Sequence, residues 1–196
     1  MITGLILLGG QASRAEHQPK YLFRFGKESF LDRQIRVLRE VADEIIISCR
    51  DSRQASELEG FPADRIVTDE LHNHGPAEGL RTGVLSAAGD LVVVVACDMP
   101  LLSPVVLKYL ISRVGDAEGA VPVWPDGNQE PLHAVYRRDA LRTVLSGCSL
   151  CRLREITSQL RIAWIQVGEL REMDPHLETF TNINDLPAYY RLGKKD

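Results

Sequence analysis

LVVVVACD, residues Leu91 to Asp98, places seven apolar or weakly polar residues, four of them consecutive valines, ahead of a carboxylate. A strand with one wet face alternates apolar and polar residues. This one does not, so it is expected at the centre of a sheet covered on both faces. Met99-Pro100 follows, and proline, lacking an N–H, ends the strand abruptly. Asp98 is thereby expected at the carboxyl end of a buried strand.

The pattern repeats outward from there. GLILL (Gly4 to Leu8), EIIIS (Glu44 to Ser48) and RIVTD (Arg65 to Asp69) read as strands. From Phe30 onward, Phe30, Leu31, Gln34, Ile35, Leu38 and Val41 recur at helical spacing behind Ser29, a good N-cap. Gly79 to Ala88 is helix-like, and Ser103-Pro104 opens another helix with serine at N-cap and proline at N1. This β-α-β-α-β rhythm predicts a mainly parallel sheet with helices on both faces. Beyond Gly115, GAVPVW and PLHAVYR read as two more strands around the turn PDGN. Asp139–Leu145 and Leu150–Leu160 read as helices, RIAWIQV as a strand and DLPAYYR as a terminal helix. No repeat or linker divides the 196 residues, so a single domain spanning 1–196 is expected.

Composition narrows the function classes. A net charge of −4 and a pI near 5.8 argue against a protein that mainly holds nucleic acid. No stretch approaches the roughly 18 apolar residues of a membrane span, and LILL is too short for a signal peptide, so a cytoplasmic location is expected. Cys148 and Cys151 form a lone C-x-x-C with no second pair, which favours free thiols over a zinc site. Between Arg14 and Arg39, seven basic residues face three acidic ones, a local bias suited to a small anion.

Three features fall at strand ends, where ligands bind in such sheets. The first is LILLGGQASRAEHQPK (Leu5 to Lys20). Adjacent Gly9 and Gly10 let backbone N–H groups turn toward a ligand, and Arg14 and Lys20 can neutralise phosphates. The loop matches neither a P-loop nor G-x-G-x-x-G, which disfavours a Rossmann oxidoreductase. The second is Asp69. The third is Asp98, placed to hold Mg²⁺ or, alternatively, to cap a turn. In HNHGPAEGL, His72 and His74 lack a nearby third ligand, and Gly75, Pro76 and Gly79 deliver a helix N-terminus. In FTNIND, Asn182 and Asn184 would share one face of an extended segment, where they could read a polar heterocycle or cap the last helix.

Taken together in this order, LLGGQASRAEHQPK, GPAEG, CDMP, EPLHAVYRR and NIN resemble the molybdenum cofactor guanylyltransferases, within the nucleotide-sugar-type nucleotidyltransferases. Ala15-Glu16 stands where that family has Met-Gly, and Leu8 where it has alanine. The resemblance implies a three-layer α/β/α Rossmann-like fold of the nucleotide-diphospho-sugar transferase type. It implies transfer of GMP from GTP to molybdopterin with Mg²⁺, and a molybdopterin-delivering protein as a further partner. It also implies roles. Leu7, Leu8, Gly9, Gly10, Ser48 and Asp69 would line the nucleotide. Arg14 and Lys20 would contact the triphosphate, Asp98 would hold Mg²⁺ and contact nucleotide, and Asn182 and Asn184 would face the pterin. Gly9, where CTP-using relatives have alanine, favours guanine. The remaining alternatives are transfer to another small phosphorylated acceptor, including by a CTP-using enzyme, and a nucleotide binder without turnover.

Overall fold

The structure is a computed structural model that describes residues 1–8, 19–69, 75–147, 152–183 and 186–192. β1 (Ile2–Leu7) pairs in parallel with β4 (Glu44–Cys49) on one side and β6 (Leu91–Ala96) on the other. β5 (Arg65–Thr68) extends the sheet beyond β4, also in parallel. Beyond β6 comes β8 (His133–Arg137), antiparallel to it. β7 (Gly119–Val123) and β9 (Ile162–Gln166) follow, parallel to each other. The strand order is β5-β4-β1-β6-β8-β7-β9, so β6 lies mid-sheet as its unbroken apolar pattern requires. Val92 to Val95 are fully buried.

Alternate strand residues feed opposite layers. Ile6, Ile45, Ile47, Val93 and Val95 pack toward α1 (Phe30–Leu38), α2 (Ser52–Glu57) and α4 (Pro104–Arg113). Leu5, Leu7, Ile46, Val92 and Val94 pack toward α3 (Pro76–Ser86), α5 (Arg138–Ser146) and α6 (Leu153–Ser158). The result is the expected three-layer α/β/α arrangement. A small hairpin of β2 (Arg24–Phe25) and β3 (Glu28–Ser29) leads into α1. The last helix, α7 (Leu186–Leu192), carries Tyr189, whose ring packs on Phe23 and Phe30 at centroid distances of 4.7 and 6.1 Å.

Ser29 caps α1 as its sequence predicts. Its Oγ accepts from the Asp32 N–H at 3.0 Å while the Asp32 carboxylate reaches back to the Ser29 N–H at 3.4 Å, a reciprocal capping box. Several boundaries differ from the sequence reading. α3 starts at Pro76, three residues before the expected Gly79. α6 spans Leu153–Ser158 within the expected Leu150–Leu160, and α1 ends at Leu38 rather than near Val41. α2 was not expected at all: none of its six residues is buried, so it shows no apolar stripe to read.

Candidate functional site

The register of the parallel strands aligns their carboxyl ends. Leu7 stands level with Ser48 on one side and Ala96 on the other. The Leu8 N–H donates to Ser48 O (2.9 Å), the Cys97 N–H to Leu7 O (3.1 Å) and the Asp69 N–H to Cys49 O (2.9 Å). These bonds carry the three strand ends just past the sheet, side by side.

On the β4–β5 side they form a small polar corner. The Ser48 hydroxyl donates to Asp69 Oδ1 at 3.3 Å. Gly79, in the first turn of α3, closes the corner. A Cβ there would stand 3.2 Å from Ser48 Oγ, 3.5 Å from Asp69 Oδ1 and 3.6 Å from a Leu7 methyl. Glycine thus keeps open a space bounded by Leu7, Ser48 and Asp69. Gly75 delivers the helix at φ +69°, a left-handed conformation that glycine adopts without strain, and Pro76 occupies the first turn.

Asp98 lies at the centre of the edge. Burial pushes its carboxyl above the usual aspartate range, and the nearby Lys20 charge partly offsets that. Two tethers hold the Asp98 turn. Gln34, an amide within the apolar face of α1, donates through Nε2 to Ala96 O (2.8 Å) and Met99 O (2.9 Å). The Asp98 carbonyl accepts the Ile183 N–H at 2.8 Å, which brings Asn182 beside it. Sequence reasoning missed Gln34 as a supporting residue. The signal was present: it is the one polar side chain in the α1 stripe Phe30-Leu31-Gln34-Ile35-Leu38.

On the β8 side of Asp98 opens a cleft of about 640 Å³. Asp98, Gln129, Glu130, Arg152, Arg154 and Asn182 supply its polar groups, with Ala77, Met99, Pro131, Leu132 and Leu153 among its apolar walls. Its size and lining suit a small organic ligand. Burial raises the pKa of Glu130, the indole hydrogen bond of Trp124 lowers it, and the Asp98 charge raises it further. Glu130, Arg152 and Arg154 were not among the sequence candidates. β8 reverses direction beside β6, and only that reversal brings residues 129–132 to the edge next to Asp98.

The structure therefore gathers Leu7, Leu8, Lys20, Ser48, Asp69, Asp98 and Asn182 along one edge of the sheet. Gly9, Gly10, Arg14, Asn184, His72, His74 and the Cys148/Cys151 pair lie outside the described residues. Among the described residues no group of three or more His, Cys, Asp or Glu could hold a metal ion, and no helix is long and apolar enough to cross a membrane. Asp98 offers a hard oxygen donor, partly stripped of water, at this edge, a donor chemistry that fits Mg²⁺.

Residues 4–162 match the model of the MobA-like NTP transferase domain. A probable molybdenum cofactor guanylyltransferase of Methanosarcina mazei is 32% identical over 93% of this chain and 85% of its own length. The molybdenum cofactor guanylyltransferase of Desulfosudis oleivorans is 30% identical over 93% of this chain and 90% of its own. Among solved structures, molybdopterin-guanine dinucleotide biosynthesis protein A from Archaeoglobus fulgidus superposes with a TM-score of 0.82 at 22% identity, over 98% of this chain and 97% of that one. The Thermus thermophilus 2-C-methyl-D-erythritol 4-phosphate cytidylyltransferase shares the fold at a TM-score of 0.70 and 13% identity, over 97% of this chain and 96% of that one. With its Rossmann-like sheet, its edge site and these matches, the chain belongs to the MobA-like NTP transferase family.

Proposed function

We propose that the chain transfers GMP from GTP to the phosphate of molybdopterin, releasing pyrophosphate. One observation carries this reading: Asp98 divides the sheet edge into a tight polar corner on one side and a wider cleft on the other. A nucleotidyltransferase needs two such subsites meeting at the reacting phosphorus, and the guanylyltransferase relatives supply the identity of the two substrates.

An oxygen of the acceptor phosphate attacks the α-phosphorus of GTP. The bond from that phosphorus to the bridging oxygen breaks, and pyrophosphate leaves with the electron pair. No protein nucleophile is needed, so the chain's task is to align two anions and stabilise charge. Leu7, Ser48 and Asp69 hold the nucleoside in the corner that Gly79 keeps open. Lys20 neutralises the triphosphate, a role the family resemblance also gives Arg14, while it sets Leu8, Gly9 and Gly10 against the nucleotide. Asp98 would hold Mg²⁺, which, when bound, stabilises the negative charge on the reacting phosphoryl oxygens. Asn182 faces the acceptor, and the family resemblance gives Asn184 the same role. The Asp98–Ile183 hydrogen bond keeps the acceptor segment in register with the reacting centre. Such an enzyme would act in the cytoplasm and take its acceptor from a delivering protein.

Pyrophosphate release with GTP, Mg²⁺ and molybdopterin tests the reading. It is expected to require all three and to fall at least tenfold when CTP replaces GTP. A preference for CTP, or GTP binding with no pyrophosphate release, would contradict it.

A further inference from the structure

Glu130 takes no part in the reaction above, yet its position is fixed on three sides. Its N–H donates to Pro122 O (2.9 Å), its carbonyl accepts the His133 N–H (3.1 Å), and its Oε1 accepts the Trp124 indole N–H at 2.7 Å. Trp124 is itself wedged edge-on against Phe180, with ring centroids 5.7 Å apart and planes at 66°. Phe180 lies two residues before Asn182, so both sides of the cleft share this aromatic contact.

Among the described residues no lysine or arginine forms an ion pair with Glu130, and its one side-chain hydrogen bond comes from a neutral donor. A half-buried carboxylate in that position is costly unless a ligand supplies donors. An anionic group is unsuitable there, because Glu130 and Asp98 already repel one another. A planar edge with two parallel N–H donors matches a carboxylate's two oxygens. The acceptor assigned above carries such an edge, the 2-amino group and N3–H of its pterin. Pro131 and Leu132, next in sequence, supply apolar surface for the flat ring.

We propose that Glu130 reads the 2-amino and N3–H donors of the acceptor's pterin, with Trp124 as the residue that positions it. This rests on the reading of the acceptor as molybdopterin. The test is Glu130→Gln, which keeps a carbonyl oxygen for the Trp124 indole and places an amide N–H₂ where the second acceptor stood. With the intact enzyme, KM for molybdopterin is expected to rise ~10–100-fold, while the GTP dissociation constant and the Mg²⁺ concentration for half-maximal rate stay unchanged. A second readout needs no turnover. In fluorescence titrations the wild type is expected to bind 6-hydroxymethylpterin about tenfold more tightly than 6-hydroxymethyl-lumazine, which has a carbonyl in place of the amino group, and Glu130→Gln to lose that preference. Trp124→Phe is expected to shift the preference in the same direction by a smaller factor. An unchanged KM with the pterin preference retained would overturn the proposal. So would a change confined to Mg²⁺ half-saturation, which would make Glu130 a metal ligand. If the wild type prefers the pterin through Glu130 but makes no dinucleotide, Glu130's role stands and the assigned reaction fails.

Discussion

At Asp98 the folded chain holds a carboxylate where burial disfavours its charge. A group whose folded-state pKa is raised opposes folding once the pH exceeds its unfolded value, so its ionised form at pH 7 weakens the fold. Asp98→Asn should therefore raise the melting temperature of the metal-free protein, read by calorimetry, while lowering turnover ~10²–10³-fold, read as pyrophosphate release. A fall in both would make Asp98 a structural residue. Gly79 permits a second prediction. A branched side chain there would enter the corner between Ser48 and Asp69, so Gly79→Val should weaken GTP binding by at least about tenfold in calorimetric titration, without the molybdopterin KM changing. The Asp98 position was legible because Leu91–Ala96 is apolar throughout and Met99-Pro100 ends it. Glu130 was not, because nothing local to QEPLH shows that residues 129–132 meet Asp98.

Helix α1 and the segment around Phe180 are the elements that steady the site. Gln34 bonds two carbonyls of the Asp98 turn, and Gln34→Leu would remove both bonds in a buried setting, leaving Ala96 O only the Met99 N–H at 3.4 Å. The expected cost is ~1–3 kcal/mol by urea denaturation, with a fall in turnover larger than the fall in GTP affinity. The Phe180 segment is latched by Thr179. Its hydroxyl accepts the Ser103 N–H at 3.1 Å and lies 3.2 Å from Nε2 of the fully buried His133. Burial pushes the His133 pKa down to about 4. The unfolded chain's imidazole takes up its proton near pH 6.5. Between those values the unfolded state binds more protons, so stability falls as pH falls, by about 3 kcal/mol in all. His133→Gln should flatten that part of the curve when urea midpoints are compared at pH 7 and pH 4.5; an unchanged slope would contradict the buried-neutral assignment. The seven strands of the main sheet were readable as short apolar runs and the long helices from their 3.6-residue spacing, whereas the two-residue strands β2 and β3 are too short to show a pattern. The antiparallel insertion of β8 between β6 and β7 was not readable, because its alternation gives no strand direction, and pairing is set by the sheet as a whole.

Across the whole molecule, sheet order determines which residues can cooperate. β5, β4 and β1 bring the Ser48–Asp69 corner to one side of β6, and the reversed β8 brings the Glu130 cleft to the other. The α/β/α layering followed from the β-α-β-α-β rhythm, and the family from motifs spread over nearly the full chain. The two-sided division around Asp98 required the structure, because it depends on strand order rather than on any motif. That division is the central claim, and label transfer tests it most directly. With α-³²P-GTP, Mg²⁺ and molybdopterin, the label should appear in a dinucleotide product in a one-to-one ratio with pyrophosphate released. Label that stays in GTP, or emerges as free GMP with the acceptor unchanged, would contradict it.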